Sequence, residues 1–133
     1  MGFKLTPAEA RAKWVEALRS GEFRQGRTCL RSPSDGFCCL GVACEVYRRE
    51  ESVGRWHGGA FEASDSFRDR DTGFLPPPVQ EWLGLGNHAG DLDTEVAGGW
   101  SSLLSLNDGA GYTFDEIARV IEAGRLTLMT KEF

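Results

Sequence analysis

A chain of 133 residues with 41% apolar and 26% charged side chains is sized for one domain that buries roughly two thirds of its unfolded surface, so folding needs neither a metal nor a disulfide staple. No apolar run approaches the roughly 20 residues of a membrane span. The net charge of −5 argues against general nucleic-acid binding, which rests on a basic face that displaces phosphate counterions.

In chain order, "TPAE" signals the first helix: Thr6 at the N-cap, Pro7 at the first helical position and Glu9 closing a capping box. Ala10, Trp14, Ala17 and Leu18 form one apolar stripe, with Trp14 as a core anchor, and Gly21 ends the element. "FRQGRTCLRSPSDGF" suggests a strand near Arg27 to Arg31, then a tight loop built on Ser32, Pro33, Asp35 and Gly36. From Cys38 to Tyr47 the chain is apolar on nearly every side, which predicts a central buried helix in which Gly41 permits close approach of a neighbour. After the charged "RREES", "VGRWHGGAFEA" reads as a β-hairpin turning at Gly58 and Gly59, and "SDSFRDRDTG" as an exposed loop. The prolines of "LPPPVQEWLGLG" set an extended entry to a short helix through Val79, Trp82 and Leu83 that ends at Gly84 or Gly86. Asn87 to Gly99 is polar and glycine-rich, hence loop. "WSSLLSLND" reads as a helix, and Thr113 with Glu116 caps a last one that Gly124 terminates. The fold class expected is α+β: a single compact domain over residues 1–133, with about four helices packed on a small antiparallel sheet.

The charge is uneven, since residues 1–50 carry nine basic and six acidic side chains (+3) and residues 51–133 carry six and fourteen (−8). Arg19, Arg24, Arg27 and Arg31 make the one basic patch the sequence suggests, read first as a solvated face and second as an anion contact. The opening "MGFKLTPAEARAKW" lacks the apolar core of a secretory signal, so a reducing cytosol is expected, with all four cysteines as free thiols. Cys29, Cys38, Cys39 and Cys44, with His57 and His88, lack the paired spacing of a zinc site. Two readings of the cysteines remain. As core residues they behave as small, inert hydrophobes. As a nucleophile, Cys38 or Cys39 would draw thiolate character from the helix N-terminus, with His57 as base. "GFCCLGVACEVY" is similar over about a dozen residues to the cysteine helix of papain-like peptidases of the NlpC/P60 type, although Cys39 or Leu40 stands where that motif has a serine.

A longer resemblance spans residues 13 to 122. The order of "KWVEALRSGEFRQG", "FCCLGVACEVY", "LPPPVQEWLGL" and "LNDGAGYTFDEIARVIE" resembles a family of small, mostly uncharacterised proteins of tailed bacteriophages. The resemblance implies an accessory protein acting without turnover in the host cytoplasm, by blocking a host defence protein or sequestering a small anionic nucleotide signal. No cofactor is expected, and a homo-oligomer with an inter-subunit pocket is left open. Such a pocket needs cations, donors and stacking faces, for which Arg24, Gln25, Arg27, Trp56, Trp100, Asn107 and Asp108 are the candidates. Asn107 and Asp108 have a rival role as helix-end and turn residues before Gly109.

Overall fold

A computed structural model describes residues 3–32, 36–64, 70–96 and 99–129. Five helices and seven short strands stand among them: α1 (Pro7–Arg19), β1 (Arg31–Ser32), β2 (Gly36–Phe37), α2 (Cys39–Glu51), β3 (Arg55–His57), β4 (Ala60–Glu62), β5 (Arg70–Asp71), α3 (Pro77–Leu83), β6 (Asp91–Val96), β7 (Trp100–Ser102), α4 (Leu103–Asp108) and α5 (Phe114–Glu122). The class is α+β as expected, with three small antiparallel ladders, β1–β2, β3–β4–β5 and β6–β7, in place of one sheet. None of these helices is long and apolar enough to cross a membrane.

The organising element is α2. Every residue from Cys39 to Tyr47 is buried, because α1, α3 and α4 pack around it. Gly41 explains how the chain before it comes so close: a Cβ there would lie 1.8 Å from the Leu30 carbonyl oxygen, so only glycine lets that backbone lie against the first turn of the helix. Trp14, fully buried on α1, donates its indole N–H to the Cys39 carbonyl (2.9 Å) and ties the two helices together. Reciprocal capping boxes form at Thr6/Glu9 and Thr113/Glu116 as their spacing predicts, and α5 buries Phe114, Ile117, Ala118 and Ile121. In α3, Pro77 occupies the first helical position and Gly84 ends the helix at φ +69°.

Five sequence expectations give way, one of them at Arg70 and Asp71 of the expected "SDSFRDRDTG" loop, which form β5 against β4. Arg27 to Leu30 is irregular, with Thr28 at φ +72°, and the strand is confined to Arg31–Ser32. Its backbone groups find scattered partners: Gly26 N–H donates to Phe37 (2.7 Å), Leu30 N–H to Thr72 (2.6 Å), and Cys38 N–H to Leu30 (3.2 Å). No continuous ladder is then required. Cys38 caps α2 from outside it, its thiol accepting the Gly41 N–H at 3.4 Å. Within Asn87 to Gly99, expected as loop, Asp91–Val96 is a strand paired with Trp100–Ser102. That pairing takes Trp100 to Ser102 out of the expected helix, which starts at Leu103 because the Ser102 hydroxyl accepts the Ser105 N–H as N-cap. The hairpin turn at Gly58 and Gly59 is as expected. The turn placed on Pro33 and Asp35 and the centre of the "SDSFRDRDTG" loop, 65–69, lie outside the described residues.

Arg125 to Met129 threads between two neighbours. Thr127 and Met129 N–H groups donate to Asp91 and Gly84 (both 2.8 Å), while Gly86 N–H donates to Thr127 (2.9 Å). Leu126 opposes Leu92, and Leu128 opposes Leu85.

Candidate functional site

Five of the seven candidate residues from the sequence fall in two places, and Arg24 and Trp100 stand outside both. Gln25, Arg27, Asn107 and Asp108 meet at the end of α4. Asn107 is fully buried. Its Oδ1 accepts from Gln25 Nε2 (2.8 Å) and the Cys39 N–H (3.2 Å), and its Nδ2 donates to Gly26 C=O and Asp108 Oδ1 (both 2.9 Å). Both donors and both lone pairs of the amide are thereby used. Gln25 is equally committed, donating also to Tyr112 C=O (2.8 Å) and accepting the Phe114 N–H (3.1 Å). Arg27 donates Nε–H to the Asn107 carbonyl (3.1 Å). This hub joins the loop before β1 to the starts of α2 and α5 and the end of α4; the side-chain amides of Asn107 and Gln25 are spent within the chain, while exposed Arg27 gives it only Nε among the described residues.

Trp100 packs elsewhere, against Gly109, where a Cβ would come within 2.7 Å of the indole. Arg24 is exposed, and its carbonyl accepts the Phe37 N–H (2.8 Å). Arg19, from the expected basic patch, pairs instead with Glu122 (2.7 Å) and Asp115 (3.8 Å) on α5.

Trp56 belongs to the second place, an open groove of about 520 Å³ lined by Arg31, Arg48, Arg49, Arg55, Glu22 and Glu45 around Phe23, Phe37 and Trp56. Its base is Glu45, whose side chain is 8% exposed. Arg48 grips this carboxylate with Nε (2.9 Å) and Nη2 (2.6 Å), Arg49 adds Nε (2.8 Å), and Trp56 adds its indole N–H (2.9 Å). Burial alone would raise the Glu45 pKa; hydrogen bonds from Arg48, Trp56 and Arg49 overturn that and hold it at about 2. The Trp56 ring is further fixed by Phe37 and Phe61, at 5.7 and 4.9 Å between centroids.

Arg31 lies on this fixed ring, its guanidinium carbon 4.8 Å from the Trp56 centroid and its Nε–H donated to Gly58 C=O at 3.1 Å. Among the described residues its Nη groups have no hydrogen-bond or ion-pair partner. Across the groove Arg49 sits 5.3 Å from the Phe23 centroid. Its Nη1 and Nη2 fork the Glu22 carboxylate at 3.1 and 2.5 Å. Arg48, Arg49 and Arg55 are 42%, 45% and 71% exposed. By sequence Trp56 stands out as a stacking face and Arg31 as part of a basic patch, whereas Arg48 and Arg49 read only as the charged exit of α2. The i, i+3 and i, i+4 spacing from Glu45 was the available signal that these cations share one carboxylate.

Among the described residues the hydrogen bonds of the thiols go to backbone groups, and none goes to a histidine or carboxylate. Cys38, Cys39 and Cys44 are fully buried. Burial pushes Cys38 up to about 12 and raises Cys39 and Cys44 as well, so each is held as the protonated thiol. Cys39 donates its S–H to Leu103 C=O at 3.6 Å. His57, on the exposed hairpin, directs Nε2 to Glu62 Oε1 (3.1 Å), which also accepts from Arg55 Nε (3.0 Å). Among the described residues no three His, Cys, Asp or Glu side chains converge as a metal site requires.

Fold and site together define a small α+β domain with a cation-rich, aromatic-floored surface groove and buried, protonated cysteines. The chain belongs to the family described as "Domain of unknown function (DUF8296)", whose model matches residues 7–125 and so takes in both the groove and the hub. No curated protein and no solved structure matches the chain.

Proposed function

We propose that the protein acts by binding and not by turnover, holding an anionic partner in the groove around Arg31 and Trp56. The observation that carries this reading is Arg31 itself. Its guanidinium is oriented by a carbonyl and an aromatic face, and among the described residues its Nη donors have no hydrogen-bond or ion-pair partner. A cation fixed in place loses little rotamer freedom on meeting an anion, which is the condition for useful affinity at an exposed site. In the setting that the phage resemblance implies, the partner is a host defence component or a small nucleotide signal in the host cytoplasm.

Support for binding over hydrolysis by Cys38 or Cys39 with His57 comes from the thiols. A nucleophilic cysteine needs a lowered pKa and access, whereas Cys38 is buried and held near 12. The test is to incubate the purified protein with a nucleotide extract of infected cells, remove unbound material, heat-denature the protein and identify what is released. An intact phosphorylated compound in stoichiometric amount, lost in Arg31→Ala, is the expected result. Recovery of cleaved products that disappear in Cys38→Ala would replace the proposal with the hydrolase.

A further inference from the structure

Resting on the groove as the binding site, we infer that the anion it takes is a phosphate monoester dianion, and that the phosphate enters by exchange, replacing the Glu22 carboxylate on Arg49. The first argument is charge. Arg55 is paired with Glu62, so Arg31, Arg48 and Arg49 face Glu45 and Glu22; with Glu22 displaced, three arginines against one carboxylate leave an excess of three minus one or +2 in a chain of net charge −5. A dianion neutralises that excess and a single carboxylate does not.

The second argument is that the two lining carboxylates differ in how firmly they are held. Glu45 is buried and accepts four hydrogen bonds from three side chains. No ligand can displace it without stranding the Trp56 indole and two guanidinium groups. Glu22 lies beyond the end of α1, is 49% exposed and holds Arg49 through an ion pair open to water. Exposed pairs of this kind are worth little net, because both partners remain well solvated when apart. The fork that Arg49 presents to Glu22 has the geometry a phosphate accepts in the same bidentate way. Its Nε stays on Glu45 and its ring contact with Phe23 persists, so Arg49 keeps its orientation while the anion changes. Glu22 is therefore an internal stand-in for the ligand, which an incoming anion must outcompete. Arg31, without a carboxylate partner among the described residues, is the second arm. Phe23, Phe37 and Trp56 add apolar surface beside the arginines, which the organic part of an ester covers and a free phosphate does not.

Titration calorimetry at constant ionic strength tests this with adenosine monophosphate, inorganic phosphate and adenosine as probes. At pH 7.5 the monophosphate is dianionic, its second pKa being about 6. It should bind, adenosine should not, and Glu22→Gln should tighten monophosphate binding by about three- to tenfold by removing the competing charge. Arg31→Ala, which leaves the Glu45 network intact, should weaken it by about tenfold or more. Inorganic phosphate binding as tightly as the monophosphate supports free phosphate as the source of the dianion, and a tighter monophosphate supports an organic ester. Equal binding of adenosine overturns the phosphate assignment. Monophosphate binding that Arg31→Ala weakens but Glu22→Gln leaves unchanged overturns the exchange and spares the groove. No binding of either phosphate probe, or binding that Arg31→Ala does not touch, removes the groove itself.

Discussion

The Asn107 hub and the Arg31 groove are both polar clusters that draw on residues distant in sequence, yet they spend their hydrogen bonds in opposite ways. At the hub every donor and acceptor of Asn107 ends on another group of the same chain. At the groove Glu45 consumes part of Arg48 and Arg49, while the Nη groups of Arg31 stay uncommitted among the described residues. A satisfied buried network contributes a unique arrangement of its elements and has nothing left to offer a ligand. A cation that is oriented but unspent contributes little to stability and keeps its capacity to bind. The chemical types at the two places overlap, and accounting for each hydrogen bond is what separates structure from recognition.

That contrast predicts a graded set of effects. The largest belongs to the hub. Asn107→Ala leaves the Cys39 N–H, the Gly26 carbonyl and one Gln25 N–H without their partner in a site closed to water, and should cost on the order of 4 kcal/mol in urea unfolding. A loss below about 1 kcal/mol would mean that water repairs the network and that the hub is more open than its burial implies.

Second is acid sensitivity at the base of the groove. Glu45 has its folded-state pKa depressed from an ordinary 4.5 to about 2. Its ionised form therefore contributes stability that is fully present above about pH 4.5 and is lost as the pH falls toward 2. The shift corresponds to about 3 kcal/mol at most. Stability curves from pH 6 to 2 should show this loss in the parent and a flattened profile in Glu45→Gln. Parallel profiles would show that the carboxylate is less tightly held than its four hydrogen bonds imply.

Third, Cys38→Ala should cost about 1 to 2 kcal/mol through the lost packing and the lost cap to Gly41. In the native protein a thiol reagent should modify the half-buried Cys29 quickly and the three buried cysteines only after unfolding. Rapid native alkylation of Cys38 or Cys39 would turn attention back to a nucleophile. The smallest effect on stability is expected from Arg31→Ala, about 0.5 to 1 kcal/mol from the lost contact with Trp56, even though the same change should weaken anion binding by about tenfold or more. A large loss of stability there would put Arg31 in the same class as the hub and dissolve the distinction between the two regions.

Much of the fold was legible in the sequence wherever its cause is local. The capping boxes at Thr6/Glu9 and Thr113/Glu116, the proline start of α3, its stop at Gly84 and the turn at Gly58 and Gly59 all close within a few residues, so spacing alone identifies them. The run from Cys38 to Tyr47, apolar on nearly every side, announces a buried helix, and Gly41 announces its close neighbour. The candidate site was legible in fragments. By residue type the sequence offers Trp56 alongside Arg24, Gln25, Arg27, Trp100, Asn107 and Asp108 as ligand groups, and offers Arg31 only within a basic patch read first as a solvated face.

Which of them stand together was a matter for tertiary structure alone. Gln25 and Asn107 are 82 positions apart, and their contact turns two plausible ligand groups into a closed internal bond. Arg31 finds Gly58 at 27 positions, and Arg49 finds Glu22 at the same separation. The strand at Asp91–Val96 exists because Trp100–Ser102 lies on one side of it and Arg125 to Thr127 on the other. A helix cap carries its partner within one turn, so sequence determines it. A side chain's remaining hydrogen-bonding capacity depends on which distant groups the packed core brings against it, and that is fixed only when the chain has folded.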